Sequence, residues 1–491
     1  MRSLLRAPEL RAALVVSWLL VIARSVVFVV YEHAHFDSDQ AIVGLMAKHL
    51  SEGRAFPLFF YGQSYMLGVE AWWAVPFFWV AGATVAALRA SIVATNLAVV
   101  TLLMIGLHRC GLRPFHALVP ALFLVFPPPD TAAFLVEVQG GNIEPFLWIL
   151  LLWFVRERPF WLGSVLAVGF LNREFVMYAV PVLLAGQAWS GTLFNRSRVR
   201  AWLFALVAFL AVWQGIRALE PLSDVMGPGT RGAAAMVARG SQIENLSQRL
   251  QVDVRGLPAR AWTIVTRDVA GLLGGRAMVD GVAPQGRGWF GYVLAIALLS
   301  AVGRVGVLAA RSRSTLPTMS FGWYALGLGV VAVLAYSATR PAEDVVRRYL
   351  LLSLLMPVGL SAVWLMLEPR RLVRAAVMTC VLGWTLLAGI DNWRQFDRYA
   401  SGQVPNPMRE LVTALEARGI TVAEAPYWRA YKLAFLSEER IMVASSDVVR
   451  ITEYQRRVEA AGEQVVRIRE EPCEGGIQVG GWYLCAFRRQ R

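Results

Sequence analysis

The sequence predicts a polytopic α-helical membrane protein of about 11 to 13 transmembrane helices, ending in a small C-terminal α/β domain. Three observations predict it. Of 491 residues, 57% are hydrophobic and 17% charged, with mean hydropathy +0.50, a balance that rules out an ordinary soluble enzyme. Apolar runs of about 20 residues, each enough to cross roughly 30 Å of hydrocarbon, recur from Ala12 to Ile390. Beyond 390 the runs stop and short helix and strand signals begin.

The first run, 12–31, follows Arg2, Arg6 and Arg11, is too long for a signal-peptide core and lacks a small-residue cleavage site, so it reads as an uncleaved helix. Further helices are expected near 89–107, 114–128, 143–155, 159–171, 175–189, 201–219, 289–309, 317–336, 346–366 and 373–390, making eleven crossings. With the N-terminus inside, fifteen arginines fall in cytoplasmic segments. Six cations, Lys48, Arg54, Arg173, Arg340, Arg347 and Arg348, fall in the short outer ones, which follows the positive-inside bias. The net charge of +14 is therefore a topology signal, and no nucleic-acid partner is expected.

The runs 143–155, 159–171 and 175–189 span only about 20 Å each, so they are expected to tilt or to be buried in protein, with a break at Asn172-Arg173-Glu174. Segment 66–82 is apolar but holds Glu70, the Trp72-Trp73 pair and Pro76, and reads as an interfacial or re-entrant helix. This leaves a transmembrane domain, 1–390, with outer loops 32–88, 129–143 and 220–288, and an outer domain, 391–491. In the latter, Asn406 caps a helix opened by Pro407 and running to Arg418, Gly419 stops it, and Ile420–Ala423 reads as a strand. Cys110 and Cys380 read as packing residues. Cys473 and Cys485 flank a Gly-rich stretch that can turn a hairpin, which leaves open a disulfide in an oxidising compartment or two free thiols.

Candidate chemistry starts at His33-Ala34-His35-Phe36-Asp37-Ser38-Asp39-Gln40, directly outside the first helix. One carboxylate can take a proton from an acceptor hydroxyl while the other orients it or shares a cation. Alternatively, Asp and Ser only cap the helix that runs from about Gln40 to Leu50. If the chain is extended there, His33, His35, Asp37 and Asp39 share one face in the pattern of a metal cluster. A second acidic group, Glu137 and Glu144, brackets Gln139-Gly140-Gly141-Asn142. Glu144 also suits the positive end of the helix that Pro145 opens. The outer pair Arg347-Arg348 suits a lipid phosphate or pyrophosphate, or else headgroup anchoring. Arg24, inside the first helix, costs about 2.5–3.5 kcal/mol on insertion scales and must face protein or water. The chain has no Walker-type loop, HExxH, CxxC or G-x-S-x-G, which removes most support for ATP-driven transport in cis and for zinc proteolysis.

Together these residues resemble the integral-membrane glycosyltransferases of the GT-C superfamily, in the branch of protein O-mannosyltransferases and the lipid A aminoarabinose transferase (glycosyltransferase family 39-like). Asp37 to Leu50, continuing through Phe60-Tyr61-Gly62-Gln63-Ser64-Tyr65-Met66 to Glu70, resembles that branch's first outer loop, with Asp39-Gln40 where the branch has Asp-Glu. Gly140-Gly141-Asn142-Ile143-Glu144 is similar to its second outer loop, and Arg348-Tyr349-Leu350 to its Arg-Tyr-Leu before a late helix. The stretch from Tyr427 to Arg440 resembles the soluble domain of bacterial members.

The resemblance implies transfer of a hexosyl or pentosyl group, with inversion, from a polyprenyl-phosphate-sugar donor to a hydroxyl of an envelope glycan, lipid or protein. The reaction would take place on the outer face of the bacterial inner membrane. Asp39 is then the base. Asp37 and Glu144 position the acceptor or hold a cation, Arg347 or Arg348 stabilises the phosphate, and Tyr349, Glu70, Tyr61 and Gln63 contact substrate. Asp37 and Asp39 would hold a divalent cation, if one is used. The competing readings are a transporter or flippase for lipid-linked sugars, which would place ionisable groups near the midplane in repeated halves, and a non-catalytic envelope-polysaccharide assembly protein, which Gln40 keeps open.

Overall fold

The computed structural model describes residues 8–223, 255–279, 282–286, 288–311, 320–338 and 347–486. Arg340 and residues 224–254 of the expected 220–288 loop lie outside the described residues.

In chain order the first elements are α1 (Pro8–Val30), α2 (Ser38–Ser51), the hairpin strands β1 (Phe59–Phe60) and β2 (Gln63–Leu67), α3 (Val69–Ala81) and α4 (Val85–Arg109). They are followed by α5 (Pro114–Val125), α6 (Pro129–Val136), α7 (Glu144–Val155), α8 (Pro159–Asn172), α9 (Ala179–Trp189) and α10 (Arg196–Ala218). Later helices cover Gly288–Arg311, Phe321–Ala338, Leu355–Leu367 and Arg371–Ala400, with a 3₁₀ stretch, Arg347–Leu354, leading into the third of these. Each of the eleven apolar segments read from the sequence thus contains a helix. Seven helices among the described residues are long and apolar enough to cross a membrane, or eight if the bent pair α5–α6 is one span. The chain is a multi-span membrane protein.

The structure departs from the expected layout in five places. The loop expected at 129–143 opens with α6, turned 83° from α5. Pro127, Pro128 and Pro129 explain the bend, since three successive residues without an N–H cannot continue the α5 ladder, yet Pro129 is well placed as a first helical residue. Segment 66–82 divides into the end of β2 and α3, which packs between α2 and α4. The 220–288 loop contains a short helix, Leu257–Thr263, and a hairpin of β3 (Arg276–Val279) with β4 (Val282–Gly286). Residue 390 lies inside the helix Arg371–Ala400. The strand expected at 420–423 is β5 (Val422–Ala425). The Ile420 N–H still closes back on the Leu415 carbonyl at 3.0 Å, so the helix exit occupies that residue.

The C-terminal part is a mixed sheet of β5, β6 (Met442–Ser445), β7 (Val466–Arg469), β8 (Ile477–Val479) and β9 (Trp482–Ala486), in the order β6-β5-β7-β9-β8. β5 runs parallel to β6 and β7 through crossover helices Tyr427–Leu436 and Thr452–Ala461, and β9 runs antiparallel to β7 and β8. Asn406 caps its first helix as expected, accepting from the Arg409 N–H at 3.1 Å. Cys473 and Cys485 are joined by a disulfide, Cα to Cα 6.1 Å.

The helix Tyr427–Leu436 lies along α2. A Cβ at Gly44 would fall 2.6 Å from the Phe435 ring, so only glycine permits this approach. Phe435 also contacts Phe36 and Phe78, at ring separations of 5.9 and 6.3 Å. This contact fixes the C-terminal sheet against the loop that carries the candidate acids.

Candidate functional site

The acids are positioned by a turn and a helix start. Residues 31–35 turn rather than extend, with His35 at φ 54, because the buried guanidinium of Arg89 in α4 gathers their carbonyls. It donates to the oxygens of Phe28 (2.8 Å), Ala34 (2.5 Å) and His35 (2.7 Å) and to Gln40 Oε1 (3.2 Å). The four-residue His/Asp face expected from an extended chain therefore does not form. His33 packs against the Tyr399 ring at 5.1 Å, while His35 pairs through Nε2 with Glu137 Oε1. Asp37 then caps α2, accepting from the Gln40 N–H at 3.0 Å, and its other oxygen accepts from Gln139 Nε2 at 2.5 Å.

Asp39, in the first turn of α2, accepts a hydrogen bond at Oδ1 from the hydroxyl of Tyr427. Its Oδ2 takes no hydrogen bond from a described residue. Burial, and then the charge of Glu137, push the Asp37 carboxyl up to about 6. Burial would lower His35, but Glu137 outweighs it and raises the imidazole. Lys432 approaches Asp37 from the C-terminal helix, its ammonium lowered by burial against the pull of that carboxylate.

The second acidic loop meets the first through the His35–Glu137 and Gln139–Asp37 contacts, and within it Asn142 ties the two acids together, its side chain donating to Glu137 Oε2 at 2.6 Å. Its backbone N–H, with that of Gly141, donates to Glu144 Oε2 at 3.2 and 3.1 Å. Glu144 thus folds back on its own loop at the start of α7, with Oε1 buried and without a hydrogen bond. Arg173 braces this turn, donating to the Gly140 and Gln139 carbonyls. Gly141, at φ +123, leaves the room it needs, since a Cβ would lie 2.5 Å from Arg173 Nε. Glu70, 3% exposed, forms the wall behind Gly140 and accepts from Asn172 Nδ2 at 3.0 Å.

The arginine pair splits. Arg347 pairs with Asp130 at 2.5 Å. Arg348 lies over the Tyr349 ring at 5.4 Å, within electrostatic reach of Glu137 and Asp39, with Nε buried and unbonded. Tyr349 in turn contacts Phe175 at 5.6 Å. Tyr61 lies apart from the acids. It is 1% exposed and bonded to His49 Nδ1 at 3.0 Å, ten residues or about 15 Å along α2 from Asp39. Gln63 accepts from Arg450 at 3.2 and 3.0 Å, and Arg450 lies over Tyr427 at 5.7 Å, so Gln63 supports the site through two intermediaries. Arg24 finds its partner in Asn96, 2.6 Å away.

No protein-family model and no curated protein matches the sequence. Solved structures do. The apo oligosaccharyltransferase of Archaeoglobus fulgidus aligns with TM-score 0.51 and 13% identity over 95% of this chain and 70% of that one. The same enzyme in complex with Zn and sulfate aligns at 0.50 and 12%, over 93% and 67%. The chain has a GT-C fold. ArnT from Cupriavidus metallidurans in the apo state is similar at TM-score 0.45 and 13% identity, over 95% of this chain and 97% of that one.

On this GT-C frame the acids do not add up to a metal site. Both oxygens of Asp37 and one of Asp39 are engaged by protein donors, and no group of three or more His, Cys, Asp or Glu among the described residues is arranged to hold a metal. The arrangement offers instead one open carboxylate oxygen and one underused guanidinium, the pair needed to accept a proton and to balance a leaving anion.

Sequence reasoning missed Arg89, Tyr427, Arg173 and Arg450. A basic residue inside an apolar run was the available signal for Arg89. Tyr427 opened the stretch that resembles the soluble domain of bacterial members, but nothing in the sequence pointed it at Asp39, a contact that spans 388 residues.

Proposed function

We propose that this protein is a glycosyltransferase that moves a sugar from a polyprenyl-phosphate donor to an acceptor hydroxyl at the outer face of a bacterial inner membrane. The observation that carries the reading is the open Oδ2 of Asp39 within electrostatic reach of the half-buried Arg348 guanidinium. An apolar cavity of about 530 Å³ between α8, α9 and α10 supports a lipid-linked donor. Its wall includes Met177, two residues from the Phe175 that touches Tyr349, so a chain lying there reaches toward Arg348.

In the proposed step, Asp39 Oδ2 accepts the acceptor's hydroxyl proton while that oxygen attacks the anomeric carbon. The bond from that carbon to the phosphate oxygen breaks, and its electron pair leaves with the lipid phosphate beside Arg348. A single displacement inverts the centre. Asp37, held by Gln40 and Gln139, and Glu144, through Asn142 and Glu137, shape the acceptor side.

The test uses purified protein in nanodiscs, a panel of short polyprenyl-phosphate monosaccharides, and lipids and glycans extracted from a strain lacking this chain. Free polyprenyl phosphate is measured by mass spectrometry. Asp39→Asn, which removes the base at constant volume, is expected to lower turnover about 10³-fold with an unchanged melting temperature. Full turnover by this variant would return Asp39 to the role of a helix-start residue.

A further inference from the structure

Tyr427 reaches Asp39 from the far end of the chain, and every part of it is pinned. Its N–H donates to Asp447 Oδ1 at 2.7 Å, and its carbonyl accepts from Ser38 Oγ, next to Asp39 in α2, at 2.6 Å. The ring is 5% exposed, set edge-on to Trp428 at 5.1 Å and Tyr431 at 5.5 Å, with the Arg450 guanidinium over it at 5.7 Å. Arg450 is itself held by Gln63 and by the Gly62 carbonyl at 3.3 Å. The phenol hydroxyl donates to Asp39 Oδ1. A half-buried aspartate at a helix start would otherwise turn among staggered rotamers, presenting either oxygen or neither.

We propose that Tyr427 is a positioning residue for Asp39, so that the C-terminal region completes the active site by turning Asp39 Oδ2 toward the acceptor hydroxyl. The inference rests on Asp39 being the base. It makes the docked C-terminal region a requirement for turnover rather than only for stability. The alternative, that the phenol merely keeps the acceptor hydroxyl's place until substrate displaces it, requires a 5% exposed and clamped ring to leave.

Tyr427→Phe keeps the ring and removes only the hydroxyl. In the polyprenyl-phosphate release assay kcat is expected to fall about 10- to 100-fold, the loss of one hydrogen bond to a charged group, with donor KM within about twofold and an unchanged melt. In an Asp39→Asn background the same substitution is expected to cost nothing further, because it acts through that carboxylate. A purely structural tyrosine would leave kcat unchanged or give additive losses, and a place-keeper would raise kcat or lower acceptor KM. Any of these overturns the proposal. An inert Tyr427→Phe beside a dead Asp39→Asn sinks this inference alone, whereas a fully active Asp39→Asn sinks the base assignment and the inference together.

Discussion

The two ends of α2 both meet the C-terminal region through partly buried carboxylates, and they are built on opposite principles. At the far end Glu439 is over-matched. Lys48 Nζ lies 2.7 Å away, His49 Nε2 2.9 Å and the Tyr454 hydroxyl 2.8 Å, with Arg54 beside them. Burial alone would raise its carboxyl, but hydrogen bonds from His49, Lys48 and Tyr454 hold it well below the usual carboxylate range. At the near end Asp37, Asp39 and Glu137 crowd together, Asp37 is pushed up, and Arg348 keeps a buried nitrogen unbonded. The first end has spent its electrostatics on holding the fold. The second keeps charge unneutralised, which costs stability and leaves groups free to act on a ligand.

The largest effect that sharpens this contrast is on stability. Glu439→Gln removes the shared anion, its side chain 6% exposed, from Lys48, His49 and Arg54, and breaking a buried pair from one side costs about 3 kcal/mol. The free energy of unfolding should drop by that amount at pH 7, with a lower melting temperature, while polyprenyl-phosphate release at 25 °C, per folded molecule, stays near wild type. The pH sign follows from the lowered pKa. Wild-type stability from this group is fully present above the ordinary value of 4.5 and is lost as pH falls below it, so the wild-type advantage should shrink in acid. A variant that melts normally but fails to turn over would erase the division between the two ends.

What the sequence made legible follows the same division. Local chemistry was readable. The apolar runs became helices, Asn406 capped its helix, the break at Asn172 separated α8 from α9 through the 3₁₀ stretch Glu174–Tyr178, and the Asp37-Asp39 pair landed at a helix start. Contacts carried by tertiary packing were not. The 3.6-residue and 2-residue periods say which face is apolar, but not that Arg89 will gather the carbonyls of residues 28–35, that Asp130 will consume Arg347, or that His49 will take Tyr61. Arg347 and Arg348 look alike in sequence and differ only in which neighbour the fold supplies.

That difference gives the next prediction. Arg348→Gln removes a guanidinium with hydrogen-bonding capacity to spare, and a charge-assisted contact is worth about 1.5–3 kcal/mol, so donor KM should rise about 10- to 100-fold. Arg347→Gln instead removes the guanidinium that pairs with Asp130, 2% exposed, and should lower the melting temperature with a smaller change in KM. Equal KM changes for the two variants would remove the distinction and move the phosphate contact elsewhere.

The smallest effect is expected at Asp37, and it is the one whose pH sign opposes that of Glu439. Asp37 is raised from 3.8 to about 6, by burial first and Glu137 second, so its contribution to stability is greatest below pH 3.8, when it is protonated, and is lost as pH rises through about 6. Asparagine stands in for the protonated acid and caps α2 equally well, keeping an acceptor for the Gln40 N–H. A shift of about two units would be worth nearly 3 kcal/mol in a dry interior, but the side chain is partly exposed, which reduces this to about 1 kcal/mol. Asp37→Asn should therefore melt with wild type at pH 4 and above it at pH 7.5, with turnover reduced only several-fold. Paired melts of the Asp37→Asn and Glu439→Gln variants across that range should diverge from wild type in opposite directions. If both variants lose stability together as pH rises, the two ends of α2 share one electrostatic design and the contrast fails.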